Sequence, residues 1–207
     1  MEGEATISGG FAEVGAGRWL MGRGQPAAFF GKAVRRRRRG WCVRDRSRLD
    51  LVETTAAAKC ADSTRPFLTQ IPCAAPVFAV SEKVLVAPAE ARRDAFVFRP
   101  VPMSVRGSIC VTEFASRWVV AATAGRTARV ALAEGETLSV RPEAAVAWTG
   151  RRPTGFCPRL GLLDILLPRG PRDLLVTFYG PGVVWMEGAD GARAALPARR
   201  GFQRRAG

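Results

Sequence analysis

From Val77 to Leu196 the sequence breaks into short apolar runs separated by turn residues, and this punctuation decides the fold class. The runs are Val84–Val86, Ala95–Phe98, Ser108–Phe114, Trp118–Ala122, Thr127–Ala133, Thr137–Val140 and Ala144–Trp148. Between them stand Pro88, Pro100, Pro102, Gly125, Gly135, Pro142 and Gly150. The stretch Gly161–Gly188 continues the pattern, with bursts at Leu162–Leu167, Leu174–Tyr179 and Val183–Met186 divided by Pro168-Arg169-Gly170-Pro171 and Gly180-Pro181-Gly182. Such runs are too short for typical helices. Their recurrence every ~8–12 residues, rich in Val, Phe, Trp and Thr, predicts an all-β antiparallel sandwich or barrel. Arg129–Ala131 and Thr137–Val140 alternate polar with apolar, as half-buried strands should. One further strand is expected at Ala192–Leu196.

The sequence echoes itself. Glu82-Lys83-Val84-Leu85-Val86-Ala87-Pro88 and Glu136-Thr137-Leu138-Ser139-Val140-Arg141-Pro142 share one pattern. Val111-Thr112, Phe114 and Val119-Val120 are matched by Val176-Thr177, Phe178 and Val183-Val184. These echoes read as two β units that would fold together, because one alone would leave its apolar face uncovered.

Residues 1–75 have another texture. Gly9-Gly10, Gly15, Gly17, Gly22 and Gly24 interrupt every candidate element, and the apolar residues keep no sustained period. Arg35–Arg39 form an unbroken basic block, followed by Arg44, Arg46 and Arg48. Adjacent like charges repel and favour a solvated chain. The expected organisation is therefore a disordered Arg/Gly-rich arm at 1–75, a β-sandwich domain at 76–198 and a basic, frayed tail at 199–207. A short helix from Ser47 to Lys59 is expected within the arm, capped by Ser47.

Composition removes several kinds of chemistry. There is no histidine, which excludes His-based triads, general bases and metal ligands. Cys42, Cys60, Cys73, Cys110 and Cys157 contain no C-x-x-C pair, so neither a zinc site nor a cofactor is expected. An odd number of free thiols fits a reducing cytoplasm. No apolar run is long enough to span a bilayer. The net charge of +14 suggests an anionic partner, although only Lys32, Lys59 and Lys83 are lysines and the arginine excess also fits a high-GC coding bias.

Two arginine groups are candidate anion or nucleic-acid contacts. Arg35, Arg36, Arg37, Arg38 and Arg39 could neutralise phosphates, or could be a solvated run with no partner. Nearby aromatics are limited to Trp41, short of the stacking expected of a single-strand binder. Arg151, Arg152 and Arg159 surround Phe156 in the longest polar break of the β region. They could grip a phosphate or carboxylate, or simply lie on an exposed loop. Asp164 lies inside an apolar burst and is expected to pair with Arg152, Arg159 or Arg169, or to face solvent, with a functional acid as the alternative. Trp118, Trp148 and Trp185 are expected in the core, with a ligand-stacking cluster as the alternative. No catalytic residue emerges, and the Gly-x-Gly motifs do not lie between a strand and a helix.

The segment Gly135-Glu136-Thr137-Leu138-Ser139-Val140-Arg141-Pro142, with Ala144-Ala145-Val146-Ala147-Trp148, resembles a turn-and-strand motif of the altered inheritance of mitochondria protein 24 family. Gly180-Pro181-Gly182-Val183-Val184-Trp185 is similar to that family's closing turn and strand. The resemblance covers Val77 to Leu196. The chain departs from it in a short unit before Glu136 and in the Arg151–Pro158 insert. It implies a TRAP-like fold, named for the tryptophan RNA-binding attenuation protein, with antiparallel sheets in a compact sandwich. It also implies a family without an established catalytic activity, some of whose members associate with mitochondrial inner-membrane complexes, and a largely uncharacterised bacterial branch. The expected function is a non-enzymatic binding or scaffold protein with a protein partner or a homo-oligomer. The alternative is an RNA- or DNA-binding protein acting through its arginines.

Overall fold

The computed structural model describes residues 5–22, 27–30, 33–36, 49–73, 75–98, 109–115, 118–156 and 175–188. The strands are β1 (Thr6–Ser8), β2 (Phe11–Val14), β3 (Gly17–Gly22), β4 (Ala27–Phe30), β5 (Ala33–Arg36), β6 (Leu49–Thr54), β7 (Ala58–Asp62), β8 (Phe67–Pro72), β9 (Val77–Val80) and β10 (Val84–Pro88). They continue as β11 (Arg92–Phe98), β12 (Ile109–Phe114), β13 (Trp118–Thr123), β14 (Arg126–Leu132), β15 (Thr137–Val140), β16 (Ala145–Thr149), β17 (Thr154–Phe156), β18 (Leu175–Tyr179) and β19 (Gly182–Gly188). The only helical elements among the described residues are single 3₁₀ turns at Ser81–Lys83, Ala89–Ala91 and Pro142–Ala144. The fold is all-β, and every strand pairing is antiparallel.

The described strands form four sheets, in the orders β1-β2-β7-β4, β5-β6-β3-β10-β13-β8, β11-β12-β9-β16-β19-β14 and β15-β18-β17. Three cores separate them. One lies between the first and second sheets, where Trp19, Val52, Trp118 and Val120 meet Ala12, Val14 and Cys60. The next joins the second and third sheets through Leu20, Ile71, Val119, Phe114 and Trp185. The last joins the third and fourth sheets through Val111, Trp148, Met186, Leu138 and Phe178.

The central strands of the two six-stranded sheets, such as β10 and β13, are thus buried on both faces, which explains their continuous apolar runs. Along β13, Trp118, Val120 and Ala122 enter one core while Val119 and Ala121 enter the other. β10 and β16 break this alternation with register shifts at Val84/Val86 and Ala145/Ala147. Each shift places two successive residues on one side, Leu85 with Val86 and Val146 with Ala147.

The strand orders reveal a repeat. Raising each strand number of the second sheet by six gives the order of the third. Raising β11-β12-β9 by six gives β17-β18-β15, the fourth sheet, and lowering β10-β13-β8 by six gives β4-β7-β2, three strands of the first. The echo of Val111-Thr112 and Val119-Val120 in Val176-Thr177 and Val183-Val184 follows this relation, because it matches β12 with β18 and β13 with β19. The echo of Glu82–Pro88 in Glu136–Pro142 does not. It matches β10 with β15, whereas the topological counterpart of β10 is β16.

Where a disordered arm is expected at 1–75, the described residues 5–22, 27–30, 33–36 and 49–73 carry strands β1 to β8. β3 and β6 lie inside the second sheet, where Leu20 and Trp19 pair with Ala87 and Pro88 of β10. Gly9 and Gly10 form the turn between β1 and β2, Gly15 lies between β2 and β3, and Gly17 and Gly22 are the two ends of β3, so alternation survives locally: Phe11–Val14 runs half-buried, buried, half-buried, buried. The expected Ser47–Lys59 helix is likewise replaced by β6 and β7. Leu49 and Leu51 turn to one core and Val52 to another, a period of two. The strand expected at Ala192–Leu196, the tail at 199–207 and Leu162–Leu167 with Asp164 lie outside the described residues.

Candidate functional site

The candidate arginines occupy separate places. Arg35 and Arg36 lie in β5, an edge strand of the second sheet, opposite Val52 and Leu51. Arg37, Arg38, Arg39 and Arg159 lie outside the described residues. Arg151 and Arg152 follow Gly150 in the link from β16 to β17, and both are exposed. The guanidinium carbon of Arg152 sits 4.2 Å from the centre of the Phe96 ring, a cation–π contact between that link and the edge strand β11.

Phe96 begins an aromatic ladder. It meets Phe78 edge-on at 6.0 Å, Phe78 stacks on Trp148 at 5.7 Å, and Trp148 tilts against Phe178 at 5.2 Å. Trp148 is wholly buried and its Nε1 has no hydrogen-bond partner among the described residues. Trp118 stacks on Trp19 at 5.8 Å in a different core, and Trp185 lies in the remaining one. The three tryptophans named from the sequence are therefore dispersed core residues, not a stacking cluster.

The second and third sheets part where β3 and β6 face the 3₁₀ turn Ala89–Ala91, leaving a cavity of about 200 Å³. Leu20, Leu49 and Leu51 form its apolar wall, and Arg18, Glu90 and Arg92 supply its polar groups. Arg18 Nε lies 3.7 Å from Glu53 Oε1, its cross-strand neighbour, in a largely exposed ion pair. Sequence reading passed over Arg18 and Arg92 because neither belongs to a conspicuous basic run.

A second polar cluster lies at the ends of β10, β16 and β19. Lys83 is buried, and its Nζ lies 2.7 Å from Glu187 Oε2 while also donating to the Glu143 carbonyl. The other Glu187 oxygen accepts from the backbone N–H groups of Ala124 and Gly125 at 2.6 and 2.8 Å. Arg65 donates to the Glu82 carbonyl beside it. Burial lowers the Lys83 pKa, with the Arg65 charge adding to that effect and Glu187 opposing it. Burial would raise the Glu187 pKa, but the Lys83 ammonium and the two backbone donors hold it below the ordinary carboxylate value. The ammonium and carboxylate are thus engaged in joining strands. The sequence signal was slight: one of three lysines, between two apolar runs.

Cys60, Cys73 and Cys110 are buried free thiols. Burial pushes Cys60 and Cys73 up to about 11, away from any nucleophilic role. Among the described residues no cluster of His, Cys, Asp and Glu could hold a metal ion, and no helix is long and apolar enough to cross a membrane.

No protein-family model matches the chain, and no curated protein matches it. Among solved structures it is similar to protein SPYM3_0169 from Streptococcus pyogenes, at 13% identity and a TM-score of 0.63. The match covers 90% of this chain and 93% of that one. At such identity the likeness shows the fold alone. Its coverage is too broad to leave out all of residues 1–75.

Proposed function

We propose that the chain is a non-enzymatic binding or scaffold protein of the altered inheritance of mitochondria 24 type, working in the cytoplasm through a protein partner or through self-assembly. The observation that carries this reading is the termination of the two six-stranded sheets in β5 and β8, and in β11 and β14. Among the described residues each such strand has a strand neighbour on one side only, and a strand from another chain can pair with the other side. The groups otherwise suited to chemistry support the same reading, since Lys83 and Glu187 are paired and burial holds the Cys60 and Cys73 thiols neutral. The motif resemblance from Gly135 to Trp185 supplies the family.

Sedimentation of the full chain across a concentration series, with cross-linking in the native cell, tests it. A reproducible assembly or a defined cross-linked partner is the expected result. A strict monomer with no cross-linked partner would overturn it.

The second reading is nucleic-acid binding through Arg35–Arg39, and it is favoured by Arg35 and Arg36 lying on an open sheet edge. Binding to RNA and DNA across a salt series distinguishes it. Affinity should fall steeply with salt and should drop when the five arginines become serine.

A further inference from the structure

We propose that the cavity beside Arg18 and Arg92 binds a small organic anion with an apolar body, of the medium-chain alkyl carboxylate class. This goes beyond the scaffold reading and does not depend on it.

Two positions of the second sheet differ in kind from their counterparts in the third. Arg18 of β3 pairs across the sheet with Glu53 of β6, and Phe78 of β9 pairs with Glu113 of β12. Phe78 therefore stands in the third sheet where Arg18 stands in the second. Arg36 of β5 lies opposite Leu51, and Phe96 of β11 lies opposite Val111. Phe96 stands where Arg36 stands. In the third sheet these two rings meet edge-on and Arg152 covers Phe96, so aromatic side chains fill that face. In the second sheet the corresponding positions are arginines, and a cavity of about 200 Å³ remains.

The cavity's chemistry selects its occupant. Leu20, Leu49 and Leu51 offer an apolar wall, and Arg18 and Arg92 line the same cavity. Guanidinium groups suit a carboxylate, which they can grip with paired N–H donors. The space is below the usual range for a drug-sized ligand, which restricts the occupant to a small molecule. Glu53 and Glu90 contribute negative charge, so a multiply charged anion would be repelled where a single carboxylate is accepted. The Arg18–Glu53 pair at 3.7 Å is exposed and weak enough to yield to a ligand.

The test is titration of the full chain with octanoate, followed by calorimetry and by two-dimensional NMR, with acetate and 1-octanol as controls. Octanoate should bind saturably. Acetate, which lacks the apolar body, and octanol, which lacks the charge, should bind roughly tenfold more weakly or worse. Arg18→Phe restores the residue type found at the equivalent position of the third sheet. It should weaken octanoate binding about tenfold or more while leaving the melting temperature unchanged or higher. Arg92→Gln should weaken binding similarly, and keeps the test open if the first variant fails to fold. Failure of octanoate to saturate at millimolar concentration would overturn the proposal. So would equal binding by acetate or octanol, or unchanged affinity in both variants.

Discussion

Lys83 and Glu187 stand 104 residues apart in sequence and 2.7 Å apart in the fold, fastening the 3₁₀ turn before β10 to the last strand of the third sheet. Their side chains are 10% and 19% exposed, so each charge depends mainly on the other and on neighbouring backbone groups. Glu187→Gln leaves the Lys83 ammonium buried without its counter-charge. It should cost about 2–3 kcal/mol, somewhat less than a fully enclosed pair because water reaches the site. Lys83→Met should cost less, since Glu187 retains the Ala124 and Gly125 donors. Denaturant unfolding of both single variants and the double variant checks this. A double variant more stable than Glu187→Gln alone is the expected signature of an orphaned lysine.

The same site sets a pH dependence. The Glu187 pKa is lower in the fold than in the unfolded chain, so its stabilisation is fully present above the ordinary carboxylate pKa. It is lost as pH falls through the lowered folded value. Acid unfolding should therefore lose part of its steepness in Glu187→Gln. Melting temperatures of the two proteins between pH 7 and about pH 3 should converge toward the acid end.

How much of this was legible depends on what each strand touches. β12, β13, β15, β16 and β19 could be read from the sequence because Val, Trp and Phe bounded by Gly and Pro have few other ways to be buried. β2, β3 and β7 were not. Their strands run only 4–6 residues, and Ala12, Ala58 and Cys60 are small inward residues that give little hydrophobic contrast. The exposed Lys59 pairs with Glu13 across the strands at 2.6 Å, a relation invisible before register is known. The cavity was hidden for the same reason. Arg18 and Phe78 become comparable only when both are seen opposite a glutamate on corresponding strands.

The buried thiols give a chemical test of the N-terminal strands. Cys60 is wholly enclosed in β7, and Cys73 is buried just beyond β8. With pKa values of about 11, roughly one thiol in a thousand is ionised at pH 8, and thiolate is the reactive form. Both should resist a thiol-specific disulfide reagent in the native protein and react promptly in denaturant. Mass mapping of the modified peptides distinguishes them from the other cysteines. Native labelling of Cys60 as fast as in denaturant would mean that β7 is not packed on the second sheet.

Trp19 and Thr54 tie β3 to β6 by polar contacts inside an apolar core. The indole Nε1 donates to Thr54 Oγ1 at 3.0 Å, and that hydroxyl donates to the Gly15 carbonyl at 2.8 Å. Thr54→Val preserves the shape and removes both roles. It should destabilise by about 1–2 kcal/mol, with the indole still able to reach the Gly15 carbonyl at 3.3 Å. Tryptophan fluorescence during urea unfolding provides the measurement, and a shifted midpoint with an unchanged slope is the expected form.

Gly180 begins the turn between β18 and β19, and the close approach of another chain segment fixes its identity. A Cβ built there would lie 1.9 Å from the Ala133 carbonyl oxygen and 3.0 Å from that of Leu132. Both obstacles are backbone, and Leu132 is held in the β14–β19 ladder opposite Gly182. The Gly180 N–H also donates to the Glu136 carbonyl at 2.9 Å, so the turn cannot swing away without breaking that bond. Gly180→Ala should therefore lower stability by at least about 3 kcal/mol, through displaced backbone and loss of the bond. Gly135→Ala is the control: its φ of +79° is strained for alanine, but no atom lies within 4 Å of its Cβ. It should cost only about 1 kcal/mol. Paired thermal melts check the contrast, and equal losses would show that left-handed strain, not the approach of Ala133, governs these turns.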